Sequence, residues 1–291
     1  MNRRNPGLEK YLRLKRGQVN LHLGQVLGEL DGTPAVLKRA MRYSVLLGGK
    51  RVRPILCLAA FEAVGGKGKS ALPAASALEL LHCFSLVHDD LPCMDDDDLR
   101  RGRPTLHKVF GTGVAVLAGD ALHTLAFRLL TQTDNLKVIR EVAAAIGSEG
   151  MIGGQIADIL AEGKKTSLND VRYIHVHKTA ALIKTAIRTG AHIGQATPAQ
   201  EKALSGYGEH LGLAFQIVDD ILNLEGEEKK LGKKIGSDRL KDKATYPKAV
   251  GIEQSKKIAA KLIEKSKACL PTGKRYTRLA DIADYILGQM E

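Results

Sequence analysis

The amino-acid sequence predicts an all-α protein in which residues 1–291 form a single-domain helical bundle. Nearly every long segment repeats its apolar residues at the 3.6-residue period of an α-helix, and none shows the sustained alternation of a β-strand. Glycine and proline clusters separate these segments. Because no composition shift or internal repeat marks a boundary, we expect one domain built from long helices.

The expected helices lie between these glycine and proline clusters, and the positions of their ends are accurate to about 2–4 residues. The breaks lie at 31–34, 48–49, 65–68, 111–113, 163–165 and 271–273. The helices expected between them are 7–29, 34–47, 52–64, 71–91, 113–131, 135–147, 148–162, 168–193, 198–225, 247–268 and 276–289.

The composition favours an anionic small molecule as partner. A net charge of +12 suits nucleic acid, an anionic membrane or a phosphorylated small molecule. Aromatic residues make up only 4% and tryptophan is absent, which argues against base stacking on single-stranded nucleic acid. We expect no nucleic-acid binding, and no stable membrane insertion because an unbroken run of about 18 apolar residues is absent.

The cysteines and the N-terminus favour a cytoplasmic protein. Cys57, Cys83, Cys93 and Cys269 form no CxxC pair and are expected to be reduced thiols. The basic start, Met1–Pro6, lacks the apolar core of a signal peptide.

The first segment whose residues could bind a ligand is Gly48–Pro54. It carries Lys50, Arg51 and Arg53 after two glycines. Glycines allow close backbone turns, and a following helix start offers free N–H groups, so the segment could cradle phosphate. A solvated basic turn is the alternative interpretation. The spacing of a Walker loop is absent.

A dense acidic cluster follows the apolar helix expected over 71–91. Six aspartates fall within ten residues, from Asp89 to Asp98. His82, Ser85 and Asp89 share one face of that helix, so a row of polar side chains leads along the helix to the acidic cluster. We therefore expect a cation site where the helix ends. Glu79 and most other single charges are assigned to solvated surfaces.

Two features near the middle of the chain allow more than one interpretation. Gly153 and Gly154 inside a helical pattern indicate either close helix packing or a ligand-facing pair, Gln155 and Asp158.

His175 and His177 are two residues apart and point to different sides of a helix, so a histidine metal site is rejected.

A second acidic stripe lies on the helix ending at 225. Gln216, Asp219, Asp220 and Asn223 follow the i, i+3, i+4, i+7 pattern amid apolar residues. Buried carboxylates must pair, neutralise or bind a cation. With no sulfur or suitable histidine ligand, two aspartate clusters favour Mg²⁺ completed by substrate phosphates. The charged segment 227–247 is typical of a mobile loop, or of a lid over a bound polyanion.

Four motifs resemble those of the trans-prenyl diphosphate synthases, most closely the bacterial farnesyl diphosphate synthases, and they cover nearly the whole chain. The motifs are Gly48–Pro54, His88–Asp95 with Arg100–Thr105, Lys178–Thr179 and Phe215–Asp220. The resemblance implies the isoprenoid synthase fold with a central substrate cavity, a homodimer, and Mg²⁺-dependent head-to-tail condensation. The implied substrates are isopentenyl diphosphate and an allylic diphosphate, dimethylallyl or geranyl.

The resemblance also implies residue roles. Asp89, Asp95 and Asp219 would hold Mg²⁺, with Asp90 and Asp220 ligating it or orienting ligands. The expected allylic diphosphate contacts are Arg100, Lys178, Lys233 and Lys243. The expected isopentenyl diphosphate contacts are Lys50, Arg53, His82 and Arg101. Lys178, Thr179 and Gln216 would lie beside the forming allylic cation. Asn223 departs from the aspartate found in many family members, yet still offers a neutral oxygen.

The product length is expected to depend on Phe84 and Ser85, one turn before the first acidic motif. A bulky Phe84 favours farnesyl over geranylgeranyl diphosphate. Ideal helix geometry places Ser85 beneath Asp89, so Phe84 must act from the side. A geranylgeranyl diphosphate synthase is the alternative. A terpene cyclase, a non-catalytic synthase subunit and a basic nucleic-acid-binding protein fit the residues less well.

Overall fold

The computed structural model describes residues 5–225 and 243–290, which are mostly helical. In chain order the helices are α1 (Pro6–Gly28), α2 (Ala35–Leu46), α3 (Val52–Ala63), α4 (Leu72–Asp89), α5 (Leu106–Phe110), α6 (Thr112–Thr131), α7 (Leu136–Ile146), α8 (Met151–Ala161), α9 (Leu168–His175), α10 (Ala181–Ile193), α11 (Pro198–Glu225), α12 (Tyr246–Val250), α13 (Ile252–Cys269) and α14 (Thr277–Leu287). The all-α prediction is therefore confirmed.

Helix starts follow local capping chemistry. The Asn5 side chain accepts a hydrogen bond from the Leu8 N–H, and Pro6 begins α1. Ser167 and Asp170 form a reciprocal capping box at α9. These contacts satisfy N–H groups that have no partner within the helix.

The helix expected over 168–193 is interrupted by a π-helical turn, Val176–Ala180, between α9 and α10. This turn carries Lys178 and Thr179. Such insertions change the helical register locally and often occur at functional sites. The apolar period alone did not predict it.

The segment after α4, for which the sequence predicts no helix, contains a short hairpin. Leu99–Arg100 (β1) pairs antiparallel with Arg103–Pro104 (β2), and the short α5 follows. Arg101 and Gly102 have positive φ angles of 55° and 74° at the turn. The hairpin projects Arg100 and Arg101 back toward the end of α4.

The core places α4 at the centre of the molecule. One apolar cluster joins α4 to α1, α2 and α6, and a second joins α3 to α10, α11, α13 and α14. Contacts of α3 with both α4 and α10 connect the two clusters. Burial of α4 on most sides explains its nearly continuous apolar sequence.

Helix α6 has the length and hydropathy of a membrane-spanning segment. Asp120 and Arg128 nevertheless interrupt its apolar sequence. Its Leu122 and Leu129 are buried in the apolar cluster that contains α4. The hydropathy of this helix is thus explained by core packing on one face.

Candidate active site

A cavity of about 630 Å³ lies between α4, α8, the π-helical turn and α11. The described segment Lys243–Thr245 forms another part of its wall. Polar residues lining it include Arg53, His82, Asp89, Asp95, Arg100, Arg101, Asp158, Lys178, Thr179, Gln216, Asp219 and Lys243. Most residues singled out from the sequence therefore converge on one space, although they are distant along the chain.

The first acidic motif forms one wall. Asp89 ends α4, and the Asp95 backbone N–H donates to the Asp89 carbonyl at 2.8 Å, which folds the loop back onto the helix. Burial raises the pKa of the Asp89 carboxyl, and the nearby Asp95 charge raises it further. Both side chains line the cavity, whereas Asp96 and Asp98 are exposed. A cation between these carboxylates would relieve their repulsion.

Asp90 points away from this cavity and instead pairs with Arg100. The Arg100 Nε donates to Asp90 Oδ1 at 2.9 Å, and Arg100 Nη2 contacts Asp97 Oδ2 at 2.9 Å. Burial raises the pKa of Asp90 to about 6, against the lowering effect of Arg100. Asp90 therefore orients Arg100, which itself lines the cavity.

The second acidic motif forms the facing wall. Asp219 and Asp220 both line the cavity on α11. Asp220 accepts hydrogen bonds from His175 Nε2 at 2.8 Å, the Tyr246 N–H at 2.9 Å and Gln216 Nε2 at 3.0 Å. The Thr179 hydroxyl donates to Gln216 Oε1 at 2.7 Å.

Two lysines cross the space between the walls. Lys178 Nζ lies 2.6 Å from Asp158 Oδ2, and Lys243 Nζ lies 2.8 Å from Asp95 Oδ1. Burial lowers the pKa of Lys178, but the charges of Asp89 and Asp158 outweigh this effect and raise it. The Lys178 side chain is therefore a protonated ammonium group inside the cavity.

The structure shows close packing at the α8 glycines and places Gln155 and Asp158 beside the cavity. A Cβ at Gly154 would collide with the Lys178 backbone, so glycine allows α8 to pack closely on the π-helical turn. Gln155 and Asp158 also line the cavity. Among the described residues, Gln155 Nε2 is buried without a hydrogen-bond partner, which leaves it available to a ligand.

The basic motif divides between the cavity and the core. Arg53 lines the cavity, together with His82 and Arg101. Arg51 instead turns inward with a φ of 54° and is buried against Glu79, with Nη1 to Oε1 at 2.6 Å. The assignment of Glu79 to a solvated surface was wrong, because Arg51 and its loop cover it. Lys50 is exposed and bonds to Gln289.

His82 is held as a neutral imidazole at the basic end of the cavity. Burial lowers its pKa well below the usual value, and the charges of Arg53 and Arg101 lower it further. A Cβ at Gly49 would lie 2.8 Å from Arg101 Cζ, and the φ of 131° at Gly49 also requires glycine. These guanidinium groups and a neutral ring provide donors for an anionic group.

The opposite end of the cavity is apolar. Phe84, Met151, Ile152, Ile156 and Ile159 line it. Phe84 is buried, and its ring packs edge-on against His88 and His123 with centroids 5.1 and 5.0 Å away. Ser85 also lines the cavity, while its hydroxyl bonds to the His82 carbonyl.

Two predicted residues need separate mention. Lys233 lies outside the described residues. Asn223 is buried on α11 but does not line the cavity. His175, by contrast, was considered only as a metal ligand, although the structure places it against Asp220. The local sequence gave no sign of this pairing, because Asp220 lies 45 residues later on another helix.

The oxygen donors on the two walls fit Mg²⁺. Asp89, Asp95 and Asp219 present carboxylates, the ligand type that this hard cation prefers. Within residues 5–225 and 243–290, no three His, Cys, Asp or Glu side chains converge into a ready-made metal cluster. Mg²⁺ in proteins usually keeps several waters and is bound through one or two carboxylates and substrate phosphates.

Sequence comparisons assign most of the chain to one family. The polyprenyl synthetase family model matches residues 34–276. A farnesyl diphosphate synthase from Geobacillus stearothermophilus is 45% identical over 94% of this chain and 93% of its own length. A chloroplastic geranylgeranyl pyrophosphate synthase from Capsicum annuum is 47% identical over 87% of this chain and 71% of its own length.

A solved structure gives the same result for the fold. The geranyltransferase from Helicobacter pylori, complexed with magnesium and isoprenyl diphosphate, superimposes with a TM-score of 0.82. It is 31% identical, and the match covers 96% of this chain and 97% of that one. This chain therefore belongs to the polyprenyl synthetase family, the prenyltransferases with the all-α isoprenoid synthase fold.

Proposed function

We propose that this protein joins isopentenyl diphosphate head-to-tail to dimethylallyl or geranyl diphosphate, with Mg²⁺, and releases farnesyl diphosphate for isoprenoid biosynthesis. One observation carries the proposal: two aspartate walls and two lysines line the same cavity as an apolar group of side chains that includes Phe84, Met151 and Ile156. A diphosphate with a hydrocarbon tail matches both groups of side chains. The relatives named above support the same class of substrate.

The proposed reaction begins with loss of the allylic diphosphate. When bound by Asp89, Asp95 and Asp219, Mg²⁺ would neutralise the negative charge that develops on this leaving group. Lys178, together with Arg100, would bind its oxygens and favour cleavage of the allylic C–O bond. The charged state of Lys178 is maintained by Asp158, which holds its ammonium in the cavity.

The second step forms the new carbon–carbon bond. The alkene of isopentenyl diphosphate attacks the allylic cation, and the resulting cation loses a proton to the departed diphosphate. Thr179 and Gln216 would turn their oxygens toward the positive carbon. Arg53, Arg101 and the neutral His82 line the cavity and would hold the isopentenyl diphosphate. Lys50, predicted from the sequence to share this role, is not among the lining residues.

The farnesyl product is proposed because Phe84 occupies the apolar end of the cavity. A geranylgeranyl product is the second candidate, and the 47% identity to a geranylgeranyl pyrophosphate synthase favours it. The two differ by one isopentenyl addition, so they share every step of the chemistry.

A cytoplasmic homodimer is the proposed working form. Val116 and Leu117 on α6 and Leu136 on α7 expose large apolar side chains on neighbouring helices, which is typical of a subunit interface. Cys57, Cys83, Cys93 and Cys269 are free thiols, which supports a reducing compartment.

The direct test is product analysis after incubation with Mg²⁺, isopentenyl diphosphate and geranyl diphosphate. A fifteen-carbon diphosphate is the expected product, and chelation of the metal should abolish it. Asp89→Ala should lower kcat by at least about 10³-fold, whereas Asp96→Ala, at an exposed position, should change it by less than about threefold. Near-wild-type condensation by Asp89→Ala would overturn the proposal. Cyclic hydrocarbons would instead identify a terpene cyclase.

A further inference from the structure

A continuous chain of hydrogen bonds links the buried His175 to Gln216 and Thr179, the residues proposed above to lie beside the reacting carbon. His175 Nε2 faces Asp220 Oδ2 at 2.8 Å, Gln216 Nε2 donates to Asp220 Oδ1 at 3.0 Å, and Thr179 Oγ1 donates to Gln216 Oε1 at 2.7 Å. His175 is only 3% exposed, and all four residues of this hydrogen-bond chain line the cavity.

The partners of His175 fix the orientation of its ring. Nδ1 lies 2.6 Å from the Val171 carbonyl, and Nε2 lies 2.8 Å from Asp220 Oδ2. Each ring nitrogen thus has a hydrogen-bond partner, so the ring is held at both ends against Asp220.

The partners of Gln216 likewise fix the orientation of its amide. Asp220 can only accept, so the Gln216 NH₂ group must face it. The Gln216 carbonyl oxygen then faces Thr179 and accepts its hydroxyl proton. With its proton committed to Gln216, Thr179 can present only its lone pairs to the cavity.

Asp220 accepts hydrogen bonds from protein groups on both carboxylate oxygens. Oδ2 accepts from His175 and the Tyr246 N–H, and Oδ1 accepts from Gln216. Asp220 is 3% exposed and its neighbour Asp219 is half-buried, and both line the cavity. The three bonds use three of the roughly four acceptor positions of the carboxylate, so a metal ion that displaced no donor could reach Asp220 only at Oδ1.

We propose that His175 and Asp220 form a positioning pair that locks the Gln216 carboxamide, so that the oxygens of Gln216 and Thr179 face the allylic cation. Asp220 then orients Gln216 and does not bind Mg²⁺. The inference rests on the proposed function and assigns His175 a role in it.

The first test separates positioning from general structural support by a double-mutant cycle. His175→Leu should lower kcat on the order of 10- to 100-fold, the usual cost of losing such an orienting partner, with KM for both diphosphates within about twofold. In a Gln216→Ala background the same change should alter kcat less than about twofold, because its effect passes through Gln216. His177→Leu is the matched control, because the half-buried His177 ring packs on Tyr173 and does not line the cavity.

A conservative variant guards against a folding defect. His175→Gln can still donate one hydrogen bond to Asp220 and should recover part of the lost kcat, while thermal unfolding reports whether each variant is folded. An unchanged kcat in His175→Leu would overturn the inference, as would an equal loss in the wild-type and Gln216→Ala backgrounds.

The second test measures metal binding without turnover. Mn²⁺ binding in the presence of inorganic diphosphate, followed by electron paramagnetic resonance, should weaken at least tenfold in Asp219→Asn. It should change less than about threefold in Asp220→Asn and His175→Leu. Equal weakening in Asp219→Asn and Asp220→Asn would make Asp220 a metal ligand and overturn the inference. A wild-type protein that binds Mn²⁺ yet elongates no substrate would refute the proposed function instead.

Discussion

Phe84 acts on the cavity from the side and is itself held by other rings. It stands between His88 and His123, and His123 packs in turn on Phe127 at 5.3 Å. This row of packed rings joins α4 to α6 behind the apolar end of the cavity. Phe84 lines the cavity whereas Phe127 does not, so the two positions can be compared.

Phe84→Ala should lengthen the product from fifteen to twenty or more carbons, because the cavity would extend toward His123. The change should also cost up to about 3–5 kcal/mol of stability, so unfolding must be measured alongside. Chromatography of the hydrolysed products reports chain length. Phe127→Ala is the control and should leave the length unchanged; an unaltered profile in Phe84→Ala would remove Phe84 as the determinant.

A buried ion pair holds the basic loop onto α4. Arg51 Nη1 bonds to Glu79, Nη2 to the Val45 carbonyl at 2.6 Å and Nε to Asn20 at 2.9 Å. Arg101 Nη2 lies 3.8 Å from the same Glu79 oxygen. Glu79 therefore anchors residues that flank the isopentenyl diphosphate site proposed above.

Glu79→Ala should lower the free energy of unfolding by about 3–5 kcal/mol, because it leaves the Arg51 charge buried and unpaired. Urea unfolding at fixed protein concentration measures this. Glu209→Ala removes an exposed pair with Lys184 and should cost about 0–1 kcal/mol. The double variant Arg51→Met with Glu79→Met should recover much of the loss; equal losses in it and Glu79→Ala would contradict the ion-pair explanation.

At the scale of elements, a charged cluster ties α7, α10 and the start of α11 together. Arg188 bonds to Glu141 at 2.8 and 2.6 Å, and His192 bridges Glu141 and Glu201 at 3.0 Å each. Lys137 pairs with Glu201 at the edge. Each helix here is amphipathic, so ionic contacts add to their apolar packing.

This cluster should make stability depend on pH. Burial tends to raise the pKa of Glu141, but the Arg188 hydrogen bonds and the His192 charge outweigh it, and the pKa is lowered. Its stabilisation is thus present above the ordinary glutamate pKa of about 4.3 and is lost as the pH falls through the folded-state value. Glu141→Gln should therefore destabilise the protein most near pH 6–7 and little near pH 3. Glu264→Gln, in an exposed pair with Lys267, is the control; a constant Glu141→Gln deficit would contradict the linkage.

At the scale of the whole molecule, α6 packs against α4 but also exposes apolar side chains to solvent, and so does the neighbouring α7. Leu117 is 61% exposed and Leu136 is 67% exposed. A second copy of the chain would remove this surface from water.

Leu117→Lys should weaken the proposed homodimer by at least about tenfold in dissociation constant, because association would bury an unpaired charge. Sedimentation equilibrium measures the change. Leu21→Lys, at a 66% exposed position on α1, is the control for surface charge alone. A wild-type monomer, or equal effects of both variants, would contradict the assignment of this surface.

The sequence by itself determined the helical class, the two acidic motifs and most residues of the candidate site. These features are local: the apolar period reports a buried helix face, and motif spacing places Asp89 or Asp219 on a known side of it. The family resemblance added the roles that spacing alone left open, such as that of Lys178.

Only the tertiary structure decided which charges face the cavity and which are turned inward. Glu79 is buried because Arg51 reaches it from another segment, and Asp220 is engaged because His175 and Tyr246 converge on it. The β1–β2 hairpin and the π-helical turn also depend on surrounding packing. Such pairings join residues about 25 to 45 positions apart, and no local period records them, because a side chain's partner is set by how the helices assemble.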